Sequence, residues 1–344
     1  MIPSLPAASD IVLMMMRAAF VLVACAAAFA DTSGNEVRGA HAIGLVDAPK
    51  VVCLRVLSGH TSTVPGIVFS RDGKTLVSGS CDGTIRTWEA ATGKELKSIA
   101  ACTAGVTDID ASADGKILAS GGYDSKARLW DANGRELATL SGHTATVFGI
   151  ALTRNGKILA TASNDSTIKL WDVAAASELR TLSGHTGPVS DVVFTPNGKL
   201  LISAGSDGTA KIWDVATGTE RRTLKGHTAG IVSVAIDPDG RVVATSSNDK
   251  TVKLWELSTG KELRSLEGHD NGALCVAFSP SGTVVASGGQ DNCVRLWETR
   301  TGKELAVLKG HTGPVRWIAF SESTKVLASG SWDSQIRLWG ISGR

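Results

Sequence analysis

A hydroxyl residue, an aspartate and a tryptophan recur together along this chain of 344 residues. Each of seven tryptophans has an aspartate six residues before it and a serine or threonine ten before it. Six of them also have a histidine 28 residues before. Serine, histidine and aspartate within mutual reach are the parts of an acyl-transfer triad: nucleophile, general base and the acid that orients the base. Roles rather than residue types decide such a constellation, and seven identical nucleophiles do not fit one active site.

The elements that hold these residues follow from their period. Trp88, Trp130, Trp171, Trp213, Trp255, Trp297 and Trp339 are separated by 42, 41, 42, 42, 42 and 42 residues. A period of about 40–45 residues marks a radially repeated β-sheet, one blade per repeat. The fifth repeat shows the strands. "IVSVAI" alternates and ends at Asp239-Gly240, a hairpin turn. "RVVATSS" follows, then a tight turn at Asn248-Asp249. "TVKLWEL" ends at Thr259-Gly260, and "KELRSLEG" runs to the next Gly-His. Val, Ile, Leu and Thr dominate, as suits a pleated half-buried surface. A unit this small cannot bury its own core and must stack on its neighbours.

The repeats carry Gly-His pairs, from Gly59-His60 to Gly310-His311, and Trp-acid pairs, from Trp88-Glu89 to Trp297-Glu298. On these motifs residues 51–344 resemble the WD-repeat β-propeller family. The resemblance implies an all-β, seven-bladed propeller of four-stranded antiparallel blades. It also implies a structural role for the triad look-alike. The indole N–H is donated to the hydroxyl, which donates to His, and the other His N–H goes to Asp. The expected tetrads are His60-Ser78-Asp82-Trp88, His143-Thr161-Asp165-Trp171, His185-Ser203-Asp207-Trp213, His227-Thr245-Asp249-Trp255, His269-Ser287-Asp291-Trp297 and His311-Ser329-Asp333-Trp339. Repeat two has Ala101-Cys102 in place of Gly-His, so Ser120 and Asp124 are expected to be less well satisfied. Repeat seven ends soon after Trp339. Residues 51–57, whose "CLRVL" aligns with Glu262–Leu266, are expected to supply the missing strand and close the ring.

The resemblance further implies that the Gly-His loops and the Asp turns open on one face, where partners engage three positions per blade. Carried over, those positions include Tyr123, Phe148, Leu274, Gln290, Arg316 and Trp332. Aromatic residues and Arg at a rim are common material for hot spots. The bland reading is that they cover the channel mouth or pack on one another. Trp317 stands where other repeats have Gly, Asp, Ser or Cys and is expected to pack between blades. A basic residue two before every Trp, such as Arg128 or Lys169, reads as a sheet-packing stem whose head meets an acid such as Asp131.

Composition excludes several classes. With 43% hydrophobic and 20% charged residues and a net charge of +2, the chain fits a soluble globular protein with no field for nucleic acid. Six cysteines share no spacing, so they form no disulfide framework or metal site. No phosphate loop appears, and no cofactor is expected. Residues 1–30 read as a signal peptide: Arg17, the apolar run "AAFVLVACAAAFA", and Ala28-Phe29-Ala30. Cleavage near Ala30 would export the protein, to the periplasm or outside, with no membrane span in the mature chain. Lipidation at Cys25 and an intracellular location are the alternatives. Residues 31–50 read as a linker.

Together these observations predict a monomeric, non-catalytic scaffold that binds a protein or peptide on the top face. Two other classes stay open. One is an enzyme or small-molecule binder using the channel, for which Asp108 and Asp191 are the nearest unrepeated acids. The other is a structural component of a cell-envelope assembly.

Overall fold

Turn residues decide where each strand stops. At Asp239-Gly240 the glycine has a φ of +68°, a left-handed conformation available to glycine at no steric cost. The turns after the lock aspartates need the same conformation. Gly83 and Gly208 supply it freely, whereas Ser125, Ser166, Lys250, Asn292 and Ser334 are held there with side chains. Between these turns lie short runs of alternating residues, and these form the strands.

The computed structural model describes residues 50–342. The segment 1–30 and residues 31–49 lie outside the described residues. Lys50, expected to end the linker, is the first residue of a strand.

The described residues form 28 strands in seven antiparallel sheets of four. Blade one runs Gly66–Phe69, Thr75–Gly79, Thr84–Glu89, Glu95–Ala100, and each later blade repeats that order. The innermost strands line the axis and are mostly buried; Val106–Ala111 of blade two is an example. The outermost strands, such as Ser177–Ser183 of blade three, are mostly exposed. The core lies between sheets rather than within one. Leu170 and Leu182 of blade three pack with Val192, Leu201 and Trp213 of blade four. Trp213 is 2% exposed. Removing such a ring would cost about 3–5 kcal/mol.

One register position on the innermost strands controls how closely the blades approach. In blades one to seven it is Gly66, Asp108, Gly149, Asp191, Ser233, Cys275 and Trp317. Gly66 and Gly149 admit the next backbone: a Cβ there would lie 2.7 Å from Ile109 N and from Asp191 Cα respectively. Asp108 Oδ2 accepts from Ile150 N at 2.8 Å, and Asp191 Oδ2 from Val234 N at 3.0 Å. Trp317 Nε1 donates to Ile67 O at 3.0 Å, tying blade seven to blade one. The expectation that Trp317 packs between blades is met by a specific bond.

The ring closes as the sequence predicts. Lys50–Leu57 pairs antiparallel with Ile336–Ser342, and these join Val326–Ser331 and Val315–Phe320 as blade seven. Leu57, 2% exposed, packs with Trp88 and Leu338. Among the described residues no helix is long and apolar enough to cross a membrane.

Candidate functional site

The polar constellation is built across two strands, the turn between them and a preceding loop in six of the blades. In blade one, Trp88 Nε1 donates to Ser78 Oγ at 2.8 Å. Ser78 Oγ lies 2.8 Å from His60 Nε2, and His60 Nδ1 lies 2.9 Å from Asp82 Oδ2. The direction of the chain follows from the aspartate. Burial raises the Asp82 carboxyl, but hydrogen bonds from Thr84, Thr61 and His60 outweigh that and hold it at about 2. Asp82 is therefore an anion that only accepts, so Nδ1 donates and Nε2 accepts from the serine. The other five tetrads repeat this geometry, with His Nδ1 to Asp distances of 2.7–3.0 Å. Burial pushes the pKa of His60, His143, His185, His227 and His311 down, which keeps the imidazoles neutral.

These serines and threonines cannot act as nucleophiles as they stand. Ser78, Thr161, Ser203, Thr245, Ser287 and Ser329 are fully buried. Each accepts from an indole as it donates to a histidine. The triad components are present, but a substrate has no path to them.

Blade two departs from the expectation in one respect. Trp130 Nε1 still donates to Ser120 Oγ at 2.9 Å. Asp124, expected to be poorly satisfied beside Cys102, instead receives Arg128 through both guanidinium nitrogens, at 3.3 and 2.5 Å. A strand cation has taken the histidine's partner. Ser120 Oγ keeps the indole but has no histidine to donate to.

The strand cations also need a correction. Their heads do not meet Asp131, which pairs with Arg135. They meet a glutamate on the outermost strand of the same blade: Arg86 with Glu95, Lys169 with Glu178, Lys211 with Glu220, Lys253 with Glu262 and Arg295 with Glu304. Blade two, with Arg128 on Asp124, and blade seven are the exceptions. Cys53 stands opposite Trp339 where the other blades place that glutamate, and Arg337 Nη1 lies 4.0 Å from its sulfur.

The loops and turns do share one face. The backbone N–H of the residue before each turn aspartate donates to the carbonyl of the residue three after the histidine position. Examples are Tyr123 N to Gly105 O at 3.2 Å, Gln290 N to Gly272 O at 2.9 Å and Trp332 N to Pro314 O at 3.0 Å. A second ring lies inside this one. In blades two to seven a β-bulge on the innermost strand leaves one residue unpaired: Thr107, Phe148, Ser190, Val232, Leu274 and Arg316. A bulge re-aims its side chain away from the ladder. The sequence placed these residues by their distance from histidine but gave no sign of the bulge.

Exposure sorts the expected contact residues. Trp332 is 51% exposed. Tyr123, Phe148, Gln290 and Arg316 are partly buried. Tyr123 leans onto blade one, its hydroxyl 3.8 Å from Cys81 Sγ, and burial raises its pKa. Leu274, expected as a contact, is only 6% exposed. Its side chain offers a partner almost no surface.

The axial cavity is small, about 170 Å³, and lined by residues that include Asp110, Asp191, Cys275 and Trp317. The carboxylates there are already engaged. Asp110 accepts from Ala111 N and Leu152 N at 2.8 and 2.7 Å, and Asp191 from Val192 N and Val234 N. Burial raises Asp110 and Asp191 to about 6 and Asp108 well above its usual value. Asp110 was not anticipated as part of this set. Among the described residues no group of three His, Cys, Asp or Glu is placed to hold a metal ion.

Comparison with known proteins agrees with this geometry. The family described as WD domain, G-beta repeat matches seven times, at residues 51–89, 93–131, 134–172, 176–214, 218–256, 260–298 and 302–340. Each match begins in the outermost strand of one blade and continues through three strands of the next. Short segments are similar to two curated proteins. One is Protein Mut11 of Chlamydomonas reinhardtii, 48% identical over 46 residues, which are 13% of this chain and 12% of that protein. The other is vegetative incompatibility protein HET-E-1 of Podospora anserina, 43% identical over 51 residues, 15% of this chain and 4% of that protein. The matched segments therefore span a small part of either relative and carry no more than the repeat itself. With seven family matches, seven four-stranded blades and six intact tetrads, the chain belongs to the WD-repeat family of β-propellers.

Proposed function

We propose that this propeller is a non-catalytic scaffold that binds a protein or peptide on the face carrying Tyr123, Phe148, Gln290, Arg316 and Trp332. WD-repeat propellers are as a family interaction scaffolds, and the buried tetrads leave no free nucleophile–base pair for chemistry. The observation that carries the reading is Trp332. It is a large aromatic side chain, half exposed, at the rim of a face whose other elements are rigidly bonded. Exposed aromatics on a rigid frame bind with little ordering cost. The small axial cavity, with its acids held by backbone N–H groups, gives the channel-enzyme alternative no support.

The test is affinity capture from cells that make the protein, comparing the natural chain with Trp332→Ala. Partner recovery should fall about tenfold or more, as for a truncated hot spot of about 2 kcal/mol. Equal recovery by a folded variant would move the site elsewhere.

A further inference from the structure

We infer that Arg316 is a receptor for a carboxylate: the partner is an acidic peptide segment whose Asp or Glu enters the mouth of the axial channel beside an apolar side chain laid on Trp332. This rests on the top-face reading above and names the chemistry of its partner.

Four observations converge on this guanidinium. Arg316 is the bulged residue between Val315 and Trp317, so its side chain is released from the ladder and aimed toward the mouth. It is the one charged member of the bulge ring. Thr107 and Ser190 donate their hydroxyls to carbonyls of the next blade, and Leu274 is buried.

The donors of Arg316 are also largely unmet. A guanidinium carries five N–H groups. Here Nη1 makes one bond, to Leu274 O at 3.4 Å, which is long for such a contact. The cations of the ordinary strand positions, by contrast, are mostly paired with carboxylates at 2.5–3.0 Å.

The head of Arg316 lies against the bulge ring, beside Leu274 O of blade six. Its charge acts on the Cys81 thiol of blade one, the Tyr123 hydroxyl of blade two, the Asp191 carboxyl of blade four and the Cys275 thiol of blade six. Only a group near the channel mouth reaches four blades on different sides. Among the described residues no ion pair joins Arg316 to Asp191, whose two oxygens accept backbone N–H groups instead.

The neighbourhood selects a carboxylate over a phosphate. One planar guanidinium matches one planar carboxylate in a two-bond fork. Neither the bulge ring nor the residues before the turn aspartates offer a second cation for a dianion. Asp191 across the channel would repel the extra charge. Trp332 lies on the same blade, its backbone bonded to Pro314, two residues from Arg316. An acid next to an apolar residue can therefore engage both.

The experiment selects a random dodecapeptide display library on the full chain. A winning peptide is then synthesised with its acid, with the matching amide, and with phosphoserine in place of the acid. Binding is measured to the natural chain, Arg316→Gln, Arg316→Lys and Trp332→Ala, each first shown to melt like the natural chain. The expected consensus contains Asp or Glu beside an apolar residue. Arg316→Gln and the acid-to-amide change should each weaken binding about tenfold and should not add, since both remove one charge-assisted pair. Arg316→Lys should retain part of the affinity. A consensus without acid, unchanged binding to Arg316→Gln, or tighter binding of phosphoserine than of the acid would overturn the inference. Loss with Trp332→Ala alone would leave the top-face reading standing and remove the carboxylate. Loss with neither variant would remove both.

Discussion

Cys102 shows what a single histidine does in a blade. In the six intact repeats glycine precedes the histidine, and in five of them a side chain would crowd the lock tryptophan; a Cβ at Gly226 would lie 3.0 Å from Trp255 Cη2. Repeat two has lost both residues of the pair, and Arg128 has turned from the outermost strand to Asp124. Restoring histidine alone would therefore compete with an arginine that already holds the aspartate. The expected outcome is that Ala101→Gly/Cys102→His rebuilds the tetrad and releases Arg128 toward Glu136. Arg128→Gln should then cost about 1.5–3 kcal/mol in the natural chain and clearly less in the double variant, by thermal or urea unfolding. Equal costs in both backgrounds would show that Arg128 is not standing in for the histidine. The six tetrads were legible in the sequence because their members keep fixed separations. The Arg128 exchange was not, because it depends on which partner remains after one is lost, and spacing does not report that.

Among the elements, the closing strand Lys50–Leu57 carries the most individual chemistry. It was readable as a strand because "CLRVL" matches the outermost strands of other repeats, and the register bears the alignment out: Cys53 faces Trp339 as Glu95 faces Trp88. The consequence for Arg337 was not readable until the cation–glutamate pairs were seen. Arg337 finds a cysteine sulfur and the Gln335 side chain where five of its counterparts find the outer-strand glutamate. Cys53→Glu should complete that pair and stabilise the protein by about 0.5–1 kcal/mol, a rise in melting temperature of about 1–3 °C. Cys53→Gln keeps the shape without the charge and should give a smaller rise; an equal rise from both would rule out the ion pair. The bulges were illegible for a different reason. An alternating pattern tells which face a residue prefers, not which residue the partner strand will skip.

For the whole molecule, repetition multiplies small effects of pH. Asp82, Asp165, Asp207, Asp249 and Asp291 titrate at about 2 in the fold, below their usual value of 3.8. Their contribution is present above the usual value and is lost as pH falls toward 2. The neutral lock histidines add a loss that begins below their ordinary 6.5. Asp110 and Asp191 act in the opposite sense. Raised to about 6, they bind protons in the fold first and favour it as pH falls from about 6 toward 3.8. Stability should therefore change little between about pH 6 and pH 4 and drop steeply between about pH 4 and pH 2, measured by urea titration at each pH. Asp165→Asn should make the steep limb shallower; an unchanged slope would show that the lock aspartates are not the titrating groups. The ring itself has a mechanical character set by its closure. Lys50 pairs with Ser342, whose hydroxyl donates to the Lys50 carbonyl at 2.9 Å, and the ladder runs from there to Leu57 and Ile336. Both ends of the ring thus leave from one corner of one sheet. Tension applied between them would load a single rung at a time and peel the clasp open like a zipper, while the other six blades bore almost none of the force.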